Sequence, residues 1–203
     1  MFINLREGEL RIRRGRVTAL IIVDLLEDFF DPAIWPESAI PPARARLAKR
    51  TNELAVSCRA AGIPVIWFRQ EFRADLQDAF LHMRRNDRHY TIVGTKGCQL
   101  LAELEVGPED RVLLKTRFSA FYRTELEAVL EKLGSREVII AGITTAWCVR
   151  STVVDAFQRD MEVIVATDCV AAFTEEAHES SIAAMNGYVA RCLSNEAIVR
   201  RIT

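Results

Sequence analysis

The chain has 203 residues, of which 50% are hydrophobic and 27% are charged. This composition is typical of a globular protein that is long enough to bury the core of one domain. The formal net charge of −1 argues against a general binder of nucleic acid or of anionic membranes. The basic run Arg11–Arg16 is short, and we interpret it as a solvated edge.

The five cysteines are odd in number, scattered, and without a Cys-x-x-Cys motif. A reducing, cytoplasmic setting therefore fits better than a disulfide framework. The N-terminus has no signal-peptide pattern, and the apolar run Thr18–Leu26 is too short to span a bilayer. We expect a cytoplasmic protein that has no membrane partner.

Apolar runs of strand length alternate with helical patterns along the chain. The predicted strands are Ala19–Val23, Pro64–Phe68, Arg111–Leu114, Val138–Ala141, Val163–Ala166 and Val189–Leu193. The predicted helices are Ala43–Ala61, Glu125–Leu133, Trp147–Gln158, Glu175–Met185 and Glu196–Arg201. Strands without polar alternation are covered on both faces. The pattern therefore predicts a three-layer α/β/α fold with a doubly wound, mostly parallel, six-stranded sheet of Rossmann-like type.

No repeat, low-complexity tract or linker divides the chain, so we expect a single domain over residues 1–203. The irregular stretch Gln70–Gly97 is expected to lie over the strand ends, where loops shape a pocket. No Gly-x-Gly-x-x-Gly motif follows the first strand, and Gly94–Gly97 does not continue as a phosphate-binding loop. We therefore expect no nucleotide cofactor.

A carboxylate, an ammonium group and a thiol stand at three predicted strand ends, as Asp24, Lys115 and Cys148. The carboxyl ends of parallel strands share one edge of a sheet, where open α/β folds bind ligands. Cys148 falls in the first turn of a predicted helix, which favours a thiolate. Asp24 can take the thiol proton and return it to a leaving amine, while Lys115 holds the carboxylate. Each residue alone also fits a purely structural role: Asp24 as an acidic loop residue, Lys115 as half of an ion pair, and Cys148 as a packed core residue.

The chain resembles the isochorismatase-like cysteine hydrolase superfamily, which includes nicotinamidases and hydrolases of N-carbamoylsarcosine, ureidoacrylate and biuret. The resemblance covers roughly residues 17–197, and its most specific segments are Ile22–Phe29, Lys115–Phe121 and Ala141–Ala156. It places the Asp–Lys–Cys catalytic triad of the family on Asp24, Lys115 and Cys148.

The resemblance also implies a cis peptide bond between Ile143 and Thr144. In the family this bond turns the Thr144 N–H toward the same point as the Cys148 N–H, which forms an oxyanion hole. Phe29 and Trp147 match positions that line the substrate pocket of the family.

Two further pocket candidates come from the residues themselves. Arg117 follows the strand that ends in Lys115, and it could bind a substrate carboxylate or pair with Asp28. Trp67 could face the pocket, although an aromatic residue in a buried strand also suits the core.

The sequence departs from the family pattern at two places. Leu26 stands where the first motif usually has Gln, so either the pocket mouth is more apolar or the position is structural. The Asp-x-His of metal-binding nicotinamidases is missing after the second strand, and His82, His89 and His178 are dispersed. We therefore expect no metal, and nicotinamidase activity is disfavoured.

The leading hypothesis is a cofactor-independent hydrolase of a small amide, ureido or carbamoyl C–N bond that forms a thioester on Cys148. The alternatives are vinyl-ether hydrolysis of an isochorismate-like substrate, a catalytically idle binding or assembly protein, and a redox sensor that links Cys148 to Cys169. Oligomers are common in the family, so we expect a homo-oligomer, dimer or tetramer. The apolar side of the segment Trp147–Phe157 is expected to supply part of the contact.

Overall fold

Six parallel strands form the central sheet of this computed structural model, which describes residues 17–203. The run Arg11–Arg16 lies outside the described residues. The strands are β1 (Val17–Val23), β2 (Val65–Gln70), β3 (Arg111–Lys115), β4 (Ser135–Ile143), β5 (Glu162–Ala171) and β6 (Arg191–Leu193). Their order in the sheet is β3-β2-β1-β4-β5-β6, and every neighbouring pair is parallel.

Helices cover both faces of the sheet. They are α1 (Arg44–Ala60), α2 (Leu81–Arg85), α3 (Leu126–Leu133), α4 (Arg150–Phe157), α5 (Glu175–Met185) and α6 (Asn195–Ile202). One core cluster joins α1 and α6 to the sheet, and a second joins α3, α4 and α5 to its other face. The predicted three-layer, doubly wound α/β fold is therefore confirmed. Over residues 17–203, no helix is long and apolar enough to cross a membrane.

The strand order reverses direction between β1 and β4. Successive strands run outward from β1 through β2 to β3, and then from β4 through β5 to β6. In open parallel sheets, ligands bind at such a switch point, in the crevice beyond the carboxyl ends of the strands. The end of β1 and the end of β4 therefore frame the place where a site is expected.

Two elements differ from the sequence prediction. β5 continues to Ala171, so Asp168 lies inside the strand instead of ending it. Its carboxylate accepts hydrogen bonds from Arg50 and from the backbone N–H of Asn195, a structural role. The stretch predicted as an irregular excursion contains the short helix α2.

Gly142 allows β1 and β4 to approach each other at the switch point. Its φ is +108°, and a Cβ added there would lie 1.9 Å from the carbonyl oxygen of Val23. No side chain fits this space without moving the backbone of β1. Glycine at this position is therefore a condition for the two strand ends to lie side by side.

We expect Gly142→Ala to lower the free energy of unfolding by at least ~3 kcal/mol, because backbone strain and a steric clash add together. The matched control is Gly62→Ala, where φ is +72° but nothing lies within 4 Å of the added Cβ. The control should lose only about 1–2 kcal/mol. Chemical denaturation of both variants measures the difference, and equal losses would contradict a role for the close approach.

Candidate active site

Asp24 and Lys115 form a fully buried ion pair at the carboxyl edge of the sheet. Asp24 follows β1 directly and has a positive φ of 58°, which an aspartate tolerates better than most residues. Lys115 is the last residue of β3, and its side chain reaches past β2 to place Nζ 2.6 Å from Asp24 Oδ2. Both side chains are 0% exposed. Lys115 Nζ also donates to the carbonyl oxygen of Arg117.

Cys148 completes the group from the other side of the switch point. It lies in a π-helical turn, Thr145–Val149, between β4 and α4, and it is buried. Its thiol lies within electrostatic range of both Asp24 and Lys115, and each of them acts on the pKa of the thiol. The structure therefore brings together the carboxylate, the ammonium group and the thiol that the strand ends predicted.

The surroundings of Cys148 favour the neutral form of its thiol. Burial raises its pKa to about 12, and the charge of Lys115 only partly offsets this effect while the charge of Asp24 adds to it. The sequence-based expectation of a thiol shifted toward thiolate is therefore wrong for the resting state. Because the cluster is dry, burial outweighs the favourable position near a helix N-terminus.

Asp24 and Lys115 act on each other's pKa in opposition to burial. Burial raises the pKa of Asp24, and the charge of Lys115 and hydrogen bonds from Lys115, Cys148 and the Gln70 backbone act in the opposite direction. Burial alone would lower the pKa of Lys115, but the neighbouring Asp24 and Cys148 raise it above its ordinary value. A proton leaving the thiol therefore has a nearby acceptor in Asp24.

A cavity of about 530 Å³ opens above Cys148 and Thr144. Aromatic rings form most of its wall, contributed by Phe29, Trp35, Tyr90, Phe118, Trp147 and Phe173. Trp147 packs edge-on against two of these rings, Phe118 and Phe173, and is 47% exposed. We call this space the aromatic cavity. Phe29 and Trp147 therefore line it, as their positions suggested.

Thr144 lies on the floor of the aromatic cavity beside the sulfur. The peptide bond between Ile143 and Thr144 is cis. A backbone hydrogen bond from Thr144 lowers the pKa of the Cys148 thiol. The Thr144 backbone therefore lies close enough to the sulfur to act on it.

Gln70 is a cavity residue that the sequence reasoning missed. It is the last residue of β2 and is 2% exposed, and its Nε2 has no hydrogen-bond partner among residues 17–203. Thr144 Oγ1 is also buried without a hydrogen-bond partner among residues 17–203, and both residues line the cavity. Buried polar groups are usually paired, so these two atoms are available to a ligand. The signal was present, because Gln70 ends a strand at the same edge as Asp24 and Lys115.

Two predicted pocket residues lie elsewhere. Trp67 is fully buried in the core, where its indole N–H donates to Asp110 Oδ2 over 2.7 Å. The guanidinium of Arg117 donates to the carbonyl oxygens of Asp78 and Thr116, outside the cavity wall. Neither residue contacts the aromatic cavity, so both assignments to substrate binding are corrected. Asp28 is not the partner of Arg117.

Leu26 has a structural role. It is fully buried, and its backbone pairs with that of Leu100 in an isolated bridge. Asp28, two residues later, accepts a hydrogen bond from the Thr91 N–H and lies against Gly97. This part of the first motif therefore anchors the loop that covers the site.

The three histidines do not meet. His82 lines the cavity, His89 contacts Asp87, and His178 hydrogen-bonds Thr145 over 2.9 Å. In the part of the chain that the structure describes, no group of three or more His, Cys, Asp or Glu could hold a metal ion. These residues do not fit a metal centre.

Cys148 and Cys169 pack on opposite faces of the sheet. Cys148 belongs to the core beneath α4, whereas Cys169 belongs to the core beneath α1 and contacts Asn195 Oδ1. A direct disulfide between them does not fit this arrangement. The redox-sensor hypothesis in that form is therefore set aside.

The fold and the site together define a doubly wound α/β protein with a buried Asp–Lys–Cys group beneath a ligand-sized cavity. The family model described as Isochorismatase domain matches residues 18–197. The chain belongs to the isochorismatase-like hydrolase family.

Relatives in this family include amidohydrolases. An Arabidopsis thaliana protein named "Probable inactive nicotinamidase" is 36% identical over 177 residues, which are 83% of this chain and 88% of the relative. The ureidoacrylate amidohydrolase RutB of Methylobacterium radiotolerans is 32% identical over 189 residues, which cover 82% of this chain and 72% of the relative. A crystal structure of an isochorismatase family protein from Desulfovibrio vulgaris has a TM-score of 0.81 and 31% identity, and the match covers 91% of this chain and 97% of that protein.

We expect Asp24→Asn to lower the pKa of the Cys148 thiol. The carboxylate raises that pKa by its charge and its hydrogen bond, and without it Lys115 is left with the thiolate as its counterion. The ultraviolet absorbance of thiolate during a pH titration measures the change, with Cys148→Ala subtracted to remove the other cysteines. An unchanged or raised pKa would contradict the coupling of the two groups.

Proposed function

We propose that the protein hydrolyses a small amide, ureido or carbamoyl C–N bond through a thioester on Cys148. The observation that carries the proposal is the 2.6 Å contact between Asp24 and Lys115, which is coupled to the Cys148 thiol in the wall of the aromatic cavity. Amidohydrolases among the relatives support the same reaction class. The substrate itself is not fixed by these observations.

In the first half of the reaction, the sulfur of Cys148 attacks the carbonyl carbon while the thiol proton moves to Asp24. The protonated resting thiol makes this base necessary, because little thiolate exists at neutral pH. The N–H groups of Thr144 and Cys148 stabilise the oxyanion. The C–N bond then breaks, and Asp24 gives the proton to the departing nitrogen, which leaves a thioester.

In the second half, water attacks the thioester carbon and Asp24 takes a proton from it. The C–S bond breaks, the sulfur recovers a proton, and the acid product leaves. Lys115 remains an ammonium throughout and stabilises Asp24 whenever that residue is ionised. The buried pair thus serves both halves with one base.

Two rival functions remain testable on the same site. Vinyl-ether hydrolysis needs a proton from Asp24 but no thiol, so Cys148 counts against it. A catalytically idle protein is the second rival, and the word "inactive" in the name of the Arabidopsis relative gives it some weight. Product analysis with isochorismate, in wild type and Cys148→Ala, separates the first rival from the proposed reaction.

The cellular setting and assembly stay predictions. The five cysteines are all free, which supports a cytoplasmic location. The exposed rings of Phe157 and Tyr188 pack against each other, and such a surface pair supports the expected homo-oligomer. A single domain over 1–203 remains our expectation.

We expect Cys148→Ala to lower turnover of a true substrate by at least ~10⁴-fold, because the nucleophile is lost. A screen of small amides and ureides for ammonia release identifies the substrate to be used. Cys98→Ala is the control, since that cysteine is also buried but does not line the cavity. Full activity in Cys148→Ala would rule out the covalent route.

We expect kcat/KM to fall in acid through an apparent pKa above 3.8, because Asp24 must be ionised and burial raises its pKa. On the alkaline side, no loss of rate should begin before pH 10.5, since the raised pKa of Lys115 keeps its ammonium group charged up to that pH. Initial rates across the pH range measure the profile. An acid limb with an apparent pKa below 3.8, or an alkaline loss of activity that begins below pH 10.5, would contradict these roles.

A further inference from the structure

Arg88 and Tyr90 form a polar strip on the wall of the aromatic cavity, in addition to the polar groups of Gln70 and Thr144 already described. Both residues line it, on the segment that follows α2. The Arg88 side chain is exposed and makes no hydrogen bond or ion pair with the rest of residues 17–203. The Tyr90 ring is buried between Phe29 and Trp35, and within the same range its hydroxyl has no hydrogen-bond partner.

The strip connects the mouth of the cavity with the sulfur. Burial raises the pKa of Tyr90 to about 12, a charge on Cys148 adds to this, and the charge of Arg88 opposes it. The phenol therefore lies within electrostatic range of both residues. Because the raised pKa keeps the phenol protonated at neutral pH, Tyr90 can donate a hydrogen bond to a ligand in the cavity that Cys148 and Arg88 also line.

The other charges near the site leave Arg88 as the cation available to a ligand. Lys115 is committed to Asp24, and Arg117 is held by backbone carbonyls outside the cavity. Glu37 and His82 also line the cavity, both at exposed positions. Arg88 is the only Lys or Arg among the lining residues of the cavity.

We propose that Arg88, assisted by the Tyr90 hydroxyl, binds a carboxylate of the substrate and makes this enzyme selective for amido or ureido acids. The inference rests on the proposed function. The scissile carbonyl would lie over Cys148, the apolar part of the substrate would pack against the aromatic rings, and the carboxylate would reach the mouth. A guanidinium suits this task, since it binds carboxylates in a bidentate manner.

The test uses two ureido acids, β-ureidopropionate and meta-ureidobenzoate, each with the analogue that carries an alcohol or an amine instead of the carboxylate. Ammonia release gives kcat and KM. Wild type should prefer an acid over its alcohol by about 10- to 100-fold in kcat/KM, the effect of one hydrogen bond to a charged group. Arg88→Gln should remove this preference through KM, and Arg88→Lys should restore part of it. Tyr90→Phe should weaken the preference several-fold.

Arg85→Gln is the matched control, because Arg85 is exposed on α2, outside the cavity wall, and carries the same charge. It should leave the preference unchanged. An equal rate for acid and alcohol, a preference for the amine, or an unaltered preference in Arg88→Gln would overturn the inference while leaving the hydrolase itself intact.

Binding measured without turnover separates this inference from the proposed function. Calorimetry with Cys148→Ala should give tighter binding of meta-ureidobenzoate than of its alcohol, and Arg88→Gln in that background should abolish the difference. This pattern would support carboxylate binding by the strip even if wild type cleaved neither probe. A failure to cleave would count only against the proposed hydrolysis. If the acid did not bind, or if Arg88→Gln did not change its binding, carboxylate recognition by the strip would be contradicted, regardless of the turnover rates.

Discussion

The contact between Asp24 and Lys115 is the constraint on which the site depends. Removing two charges from water costs several kcal/mol each, and the cost is recovered only when the pair is close and its remaining polar atoms are satisfied. The sheet supplies that geometry, because β1 and β3 end at the same edge with only β2 between them. Cys148 joins as the third member, and burial, together with the charge of Asp24, raises the pKa of its thiol.

The sequence was sufficient to predict the sheet and the three reactive groups. Continuous apolar strands and their helices define the layers, and Asp24, Lys115 and Cys148 each stand at a strand end, so position along the chain becomes position in space. The state of the thiol was not predictable in this way. It depends on how completely α4 and the covering loop exclude water, which is a property of tertiary packing.

The direction of side chains was the second feature that could not be predicted from the sequence. Trp67 lies inside β2 and turns to Asp110, which directly precedes β3. Arg117 lies near the correct edge, but its partner Asp78 comes from a loop whose path the sequence does not specify. The cavity wall has the same origin, because Arg88 and Tyr90 belong to the irregular stretch between β2 and β3. Periodicity places regular elements well, whereas it gives no direction to residues between them.

Gln70 divides its two hydrogen-bonding parts between different tasks. Its main chain supports Asp24, as would that of any residue except proline, while its side chain faces the cavity. A change at this position can therefore alter what the pocket recognises and leave the base in place. Such a separation gives a fold a simple path by which new ligands can be acquired while the chemistry is inherited unchanged.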